Sequence, residues 1–177
     1  MRYQDPLEEA LRLEIRRKIY ETIKENPGLH FRELQRRTGI ATGALQYHLD
    51  YFVKRHLVKT EREKKFLRYY LVREKFDETK LMSFLRQDKI RKVLLFLSKR
   101  RYSTLEKIVS GTGLNETTVQ NYIHSLIKDN VLEEKAYSGK VVYSIKEKEK
   151  IAELLRSYRK SFLDALVDEF VEMWGEI

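Results

Sequence analysis

The chain has 177 residues, 42% of them hydrophobic and 36% charged, with a net charge of +9, a pI near 9.6 and no cysteine. That composition suits one large or two small soluble globular domains, and it excludes disulfides, thiolate metal sites and cysteine nucleophiles. No apolar run reaches the ~20 residues that cross a bilayer, and the start, Met1-Arg2-Tyr3-Gln4-Asp5-Pro6, lacks the apolar core of a secretory signal, so a cytoplasmic protein is expected. Many Lys, Glu and Arg, with only 7 Gly and 2 Pro, also give the composition of a heat-adapted protein. The charge is unevenly divided. Residues 1–76 carry +7, residues 77–87 balance, residues 88–146 carry +5 and residues 147–177 carry −3. An excess of cations over most of the chain favours a polyanionic partner.

From Pro6 to about Glu25, Leu7, Leu11, Ile15, Ile19, Thr22 and Ile23 fall at helical spacing, with Pro6 in the first turn and Asn26-Pro27-Gly28 as the stop. Leu29-His30-Phe31 is a short extended lead-in. A helix from Phe31 to Thr38, a Gly39 turn and a helix from Thr42 to about Arg55 follow. Leu34, Ile40, Leu45, Leu49 and Phe52 face inward and leave a polar, partly small outer face. This is the layout of a helix-turn-helix, the alternative being an ordinary helical corner. Val58 to Arg62 and Phe66 to Val72 are β-branched and aromatic enough for a hairpin around Glu63-Lys64-Lys65. Three helices and a hairpin make a winged helix-turn-helix.

Glu74 to Lys80 is a polar hinge, and Thr79 to Leu85 a short helix. The plan then repeats. A helix opens at Asp88 or Lys89 with Ile90, Val93, Leu94 and Leu97. Lys99-Arg100-Arg101-Tyr102 turns the chain, and Ser103 caps Thr104 to Ser110. Thr112-Gly113-Leu114-Asn115 matches Thr38-Gly39-Ile40-Ala41, with Asn115 a proper N-cap where Ala41 is a poor one. Val119, Ile123 and Leu126 repeat Leu45, Leu49 and Phe52. Leu132 to Tyr137, Ser138-Gly139, and Lys140 to Ile145 form a second hairpin. The agreement of the two copies, with one residue missing at the Asn26-Pro27-Gly28 turn, decides against the helical corner. Lys146 to Trp174 reads as one long amphipathic helix with the stripe Ile151, Leu154, Leu155, Tyr158, Phe162, Ala165, Leu166, Phe170 and Trp174. It is either a lid on its own domain or a dimer seam. Its opposite face is acidic, which does not suit a membrane surface.

The expected fold class is therefore mainly α with small β-hairpin wings. A first winged helix-turn-helix spans 1–76, a linker or short helix 77–87, a second winged helix-turn-helix 88–146 and a C-terminal amphipathic helix 147–177. On the first recognition helix the outward face is Thr42, Gly43, Gln46, Tyr47 and Asp50. Gln46 pairs bidentately with adenine, Thr42 and Tyr47 reach phosphate or a thymine methyl, and Gly43 permits close approach. Asp50 lies later on the helix and orients an Arg. Arg36 and Arg37 clamp a phosphate strand, and Arg62, Lys64, Lys65 and Arg68 on the wing reach backbone or minor groove. The alternative for these cations is a solvated face. In the second copy the matching residues are Thr117, Gln120 and Asn121, with Lys135 and Lys140 on the wing, but Glu116 and Glu133-Glu134 oppose phosphate. Weaker DNA binding, or a role in assembly, is expected there.

His48 and His56 flank Asp50, but without cysteine support no metal site is read, and His30 and His124 are isolated. No phosphate loop, carboxylate pair or Ser/His/Asp grouping appears, so neither an enzyme nor a cofactor is expected. Double-stranded DNA is the expected partner. A homodimer through 147–177 or the N-terminal helix is the second. RNA is disfavoured because its helix has a narrow major groove.

The stretch Leu29-His30-Phe31-Arg32-Glu33-Leu34, Thr38-Gly39-Ile40-Ala41-Thr42-Gly43-Ala44-Leu45-Gln46-Tyr47-His48-Leu49, Phe52 and Leu57-Val58 resembles archaeal winged-helix regulators related to the ArsR and MarR types. The tandem plan over residues 15–145 is similar to archaeal regulators with two helix-turn-helix domains, a group that includes the euryarchaeal archaellum activator. The resemblance implies a sequence-specific transcription regulator, with His48 buttressing the recognition helix. Three features depart from the pattern. The first wing has no Gly turn, Ala41 stands at the cap, and Asn121-Tyr122-Ile123 replaces Tyr47-His48-Leu49. Tandem winged helices also serve as scaffolds in chromosome and transcription complexes. Those tend to be acidic, whereas Arg36, Arg37, Lys64 and Lys65 are not.

Overall fold

The computed structural model describes Ala10 and residues 13–175. The chain divides into two compact units, Met1–Ser83 and Phe84–Ile177. In the first unit, α1 (Glu14–Glu25), α2 (Phe31–Thr38) and α3 (Thr42–Lys54) precede β1 (Val58–Glu63) and β2 (Phe66–Leu71). The helix α4 (Phe76–Leu85) occupies most of the expected polar hinge. Of the expected N-terminal helix, the part before Leu13 other than Ala10 lies outside the described residues.

The core of this unit is what the helical spacing requires. Ile19 and Ile23 of α1, Leu34 of α2, and Leu45, Leu49 and Phe52 of α3 are each inaccessible to solvent. The hairpin closes it from below, antiparallel with Val58 opposite Leu71 and Glu63 opposite Phe66. The lead-in to α2 adds a short third edge, because Gly28 N–H donates to Tyr69 O at 2.9 Å and Tyr69 N–H to Leu29 O at 3.1 Å. Gly28 has φ +81°, and a Cβ there would sit 3.0 Å from the Tyr70 hydroxyl, so only glycine fits this turn. Tyr70 Oη donates to Thr79 O at 3.0 Å and Thr79 Oγ1 to Glu61 Oε1 at 2.6 Å, which fastens the start of α4 to the sheet.

The second unit repeats the plan with α5 (Asp88–Ser98), α6 (Leu105–Thr112), α7 (Glu116–Lys128), β3 (Leu132–Tyr137) and β4 (Lys140–Ile145). The hairpin bounds are those expected. Asn115 caps α7, its side chain accepting from Thr117 N–H at 2.9 Å. The expected Ser103 cap is corrected. Ser103 pairs instead with Tyr143 through two backbone hydrogen bonds of 2.9 and 2.8 Å, and the cap position passes to Thr104. A residue held in a strand ladder is not free to start a helix.

The single long tail helix is also corrected. The tail is α8 (Lys148–Ser157), α9 (Arg159–Phe162) and α10 (Ala165–Gly175), broken where Leu163 takes a left-handed φ of 52°. Asp164 restarts the helix by accepting from Leu166 N–H at 3.0 Å. The break resets the register, so Val167 and Phe170 point inward, whereas Leu166 and Leu163 are exposed. Ile151, Leu155, Phe162 and Phe170 of the stripe are buried within this unit, together with Val167 outside it, so these residues form a lid on their own domain while Ala165 and Leu166 stay exposed. Two arginines bolt it down. Arg86 Nη2 donates to Ser161 Oγ, and Arg91, 6% exposed at its side chain, donates to Asp164 at 2.7 Å and to Asp88 at 2.8 Å.

Candidate nucleic-acid interface

The first helix-turn-helix is fixed by its turn. Gly39 ends α2 at φ +68°, and its N–H donates to Gln35 O at 2.8 Å. An L-residue is strained in that conformation. At the other end of α2, His30 N–H donates to Glu33 Oε2 at 3.0 Å, so Glu33 closes the start of the helix. Ala41 supplies no side-chain cap to α3. Instead Gln35 Nε2 donates to Thr42 Oγ1 at 2.7 Å across the turn, tying the two helices directly.

α3 presents the face expected of it. Thr42, Gly43, Gln46, Tyr47 and Asp50 are exposed, while Leu45, His48, Leu49 and Phe52 are buried. Tyr47 is 63% exposed, unusual for so large an aromatic side chain, and its ring meets His48 edge-on at 5.1 Å. A Cβ added at Gly43 would meet nothing within 4 Å, so packing within the protein does not require glycine there. Asp50 accepts from Gln46 Nε2 at 2.9 Å, which corrects its expected role of orienting an arginine. The contact holds the Gln46 amide extended along the outer face.

His48 lies beneath this face. Arg16 of α1 donates to its Nδ1 at 3.4 Å and stacks its guanidinium 3.6 Å from the centre of the Tyr51 ring, with Arg55 5.4 Å from the same ring. Burial, with Arg16 adding to it, pushes the His48 imidazole below its ordinary range and keeps it neutral. Arg16 was not legible as part of this site. Its only sequence signal is that the repeat places Arg91 at the same point of the second copy. Among the described residues, no three His, Asp or Glu side chains gather as a metal site.

The basic flank is less uniform than the sequence suggests. Arg36 is exposed. Arg37 is exposed too, but its Nη1 donates to Asn26 Oδ1 at 2.8 Å, so it also holds the α1–α2 turn. Arg62, Lys64 and Lys65 are exposed at the tip of the hairpin, which turns in two residues with Lys64 at φ 53° in place of glycine. Arg68 is a correction. It is 4% exposed and faces inward, Nε to Glu63 Oε2 at 2.8 Å and Nη1 to Gly28 O at 2.7 Å. A buried guanidinium consumed by a half-buried carboxylate and a carbonyl cannot serve as a phosphate contact. Beside it the apolar Phe66 and Leu67 are each 38% exposed, Phe66 stacking on His30 at 4.9 Å.

On α7 the matching residues Thr117, Gln120 and Asn121 are exposed, as are Lys135 and Lys140 on the second hairpin. Their surroundings differ. Gln120 Nε2 donates to Glu116 Oε1 at 3.1 Å, so a carboxylate occupies the end of the helix that Thr42 occupies in the first copy. Lys135 pairs with Glu133 at 2.7 Å, and Lys135 and Ser144 together hold the Glu133 carboxyl below its usual range.

Residues 13–81 match the model of a family described as an N-terminal HTH domain. The chain is also similar to the uncharacterized HTH-type transcriptional regulator MJ1398 of Methanocaldococcus jannaschii, 29% identical over 140 residues, which are 79% of this chain and 35% of that protein. The chain thus spans about a third of the length of this curated relative. The family match runs over α1, α2, α3, the hairpin and the start of α4, so the helix-turn-helix of the first unit rests on likeness as well as on geometry.

Proposed function

We propose that the chain is a sequence-specific regulator of transcription that binds double-stranded DNA chiefly through its first module. α3 lies in the major groove, with Gln46 reading a base and Thr42, Gly43 and Tyr47 making the close approach. Arg36, Lys64, Lys65 and Arg62 hold the phosphate backbone, and Arg37 does so while fixing its own turn. One observation carries this reading. The helix after a glycine-capped turn exposes a small and polar face, including a 63% exposed tyrosine, with unburied cations before and after it. A solvated surface has no need to expose Tyr47 beside a bare Gly43.

The similarity to a protein named as a transcriptional regulator, and the excess of cations in residues 1–76, support the same reading. No helix among the described residues is long and apolar enough to cross a membrane. The reading places the chain in the cytoplasm with the chromosome and asks for no enzymatic activity. The second module binds more weakly or assists assembly, because Glu116 meets the groove first. A homodimer is formed through the part of the tail left uncovered, where Leu163 is 81% exposed and Leu166 and Met173 40% each.

Fluorescence anisotropy on genomic duplex fragments over a range of salt tests this function. Affinity should fall steeply, with a log–log slope of about −4 to −6, as expected for several neutralised phosphates. A flat salt dependence, or no binding at moderate salt, contradicts it and favours a scaffold.

A further inference from the structure

The second module carries a cleft of about 760 Å³ between its hairpin, the turn before α6 and the start of α8. The first module fills the equivalent place with its own side chain. There Arg68 reaches inward to Glu63 and to Gly28 O. The repeat puts Val142 where the first copy has Arg68, and Tyr137 where it has Glu63. A short apolar side chain thus replaces a plugging cation, and the cleft takes its cations from elsewhere.

Five Lys and Arg side chains line the cleft with one carboxylate, Glu133. Lys135 is held by Glu133, Arg100 donates to Phe96 O and Lys148 to Arg100 O, whereas the Arg101 and Lys107 side chains make no hydrogen bond or ion pair among the described residues. Ser103 also lines the cleft. It is 3% exposed, its backbone is fixed by Tyr143, and its hydroxyl has no hydrogen-bond partner among the described residues. Such a buried polar group is costly unless something accepts from it. Tyr102 and Tyr137, ring centres 4.7 Å apart, wall one side.

We propose that this cleft binds a phosphorylated small molecule bearing a planar ring, the nucleotide class of ligand. Arg101 and Lys107 take the phosphates, Ser103 donates from the floor, and the two tyrosines face the ring. The volume is within the range of small-molecule sites. A duplex phosphate offers the same anion, but a buried hydroxyl at the floor and an aromatic wall serve a small ligand better than a convex rod.

Isothermal titration of the full chain with ADP and with inorganic phosphate, in the absence of DNA, tests the proposal. Saturable ADP binding is expected, at least about tenfold tighter than that of inorganic phosphate. It should weaken by at least about tenfold in the Arg101→Ala/Lys107→Ala variant, whose changes are on the surface, and by about fivefold in Ser103→Ala. Circular dichroism confirms that each variant folds. Absence of saturable ADP binding, or equal affinity in wild type and the Arg101→Ala/Lys107→Ala variant, overturns the proposal. Equal affinity for ADP and inorganic phosphate overturns the ring-bearing class. If the Arg101→Ala/Lys107→Ala variant keeps its ADP affinity in the titration but loses duplex affinity in a separate anisotropy measurement, these cations belong to DNA and the proposal is overturned too. Because the titration contains no DNA, its failure leaves the reading of the first module standing.

Discussion

The two modules share a plan and differ in what each spends its polar residues on. In the first, the recognition helix begins with Thr42 and Gly43, is preceded by Arg36 and Arg37, and is followed by a lysine-tipped hairpin. In the second, the same positions hold Glu116 and Thr117, Ser110 and Gly111, and a Ser138-Gly139 turn. The wing interior differs in the opposite sense. The first module buries a cation, Arg68, paired with the half-buried Glu63, where the second has Val142 and an open cleft. A repeated fold can therefore keep its helices and divide its chemistry, one copy turning cations outward along a groove-sized helix and the other gathering them around a cavity.

The largest effect expected from breaking this contrast is at Arg68. Arg68→Ala removes the buried member of a part-buried pair and leaves Gly28 O without its donor, so urea unfolding should show a loss of about 2–3 kcal/mol. A change below about 1 kcal/mol, with a salt slope for DNA binding reduced by about one, would instead make Arg68 an outward phosphate contact. Next is Lys64→Ala/Lys65→Ala. It should lower affinity on all sequences alike and reduce the salt slope by about two, with fold stability changed by less than about 0.5 kcal/mol. Sequence-selective weakening would mean that the hairpin reads bases.

Gly43→Ala should separate folding from binding. With open space at the Cβ position, alanine stabilises α3 by about 0.5–1 kcal/mol and yet weakens duplex binding by obstructing close approach. Unchanged binding would remove Gly43 from the interface. The smallest effect concerns His48. Its folded-state imidazole is held below the ordinary value, so the unfolded chain takes up the proton more readily. The contribution of His48 to stability is fully present above a pH of about 6.5 and is lost as pH falls through the lower folded value. His30 shifts the same way, mainly through burial. The difference in stability between wild type and His48→Gln should therefore shrink from about pH 7.5 to 5.5. A constant difference over that interval would show that His48 does not titrate with folding.

Much of the fold was legible because it was written twice. The Gly39 and Gly113 turns, the Asn115 cap and both hairpins follow from local chemistry that a sequence displays directly. The burial of Arg68 is not legible in the sequence, because a charged side chain ordinarily faces water. The hairpin is instead covered where Arg68 and Tyr70 point, and Phe66 and Leu67 take the exposed positions. The tail reads as one helix in the sequence because its apolar spacing is nearly continuous. The signal for the break was Asp164, an N-cap residue type set inside that stripe. Ser103 looked like a cap because its use in the Tyr143 ladder depends on a residue far along the chain. Arg16 was missed for the same reason, its partners His48 and Tyr51 being brought near only by folding.

The claim that the first module is the reading head is tested most directly by selecting bound duplexes from a random pool with wild type, Gln46→Ala and Gln120→Ala. The expected result is that Gln46→Ala relaxes the preference at one base position by about 1–3 kcal/mol while Gln120→Ala leaves the selected sequence unchanged. Relaxation by Gln120→Ala with no effect of Gln46→Ala would contradict the account.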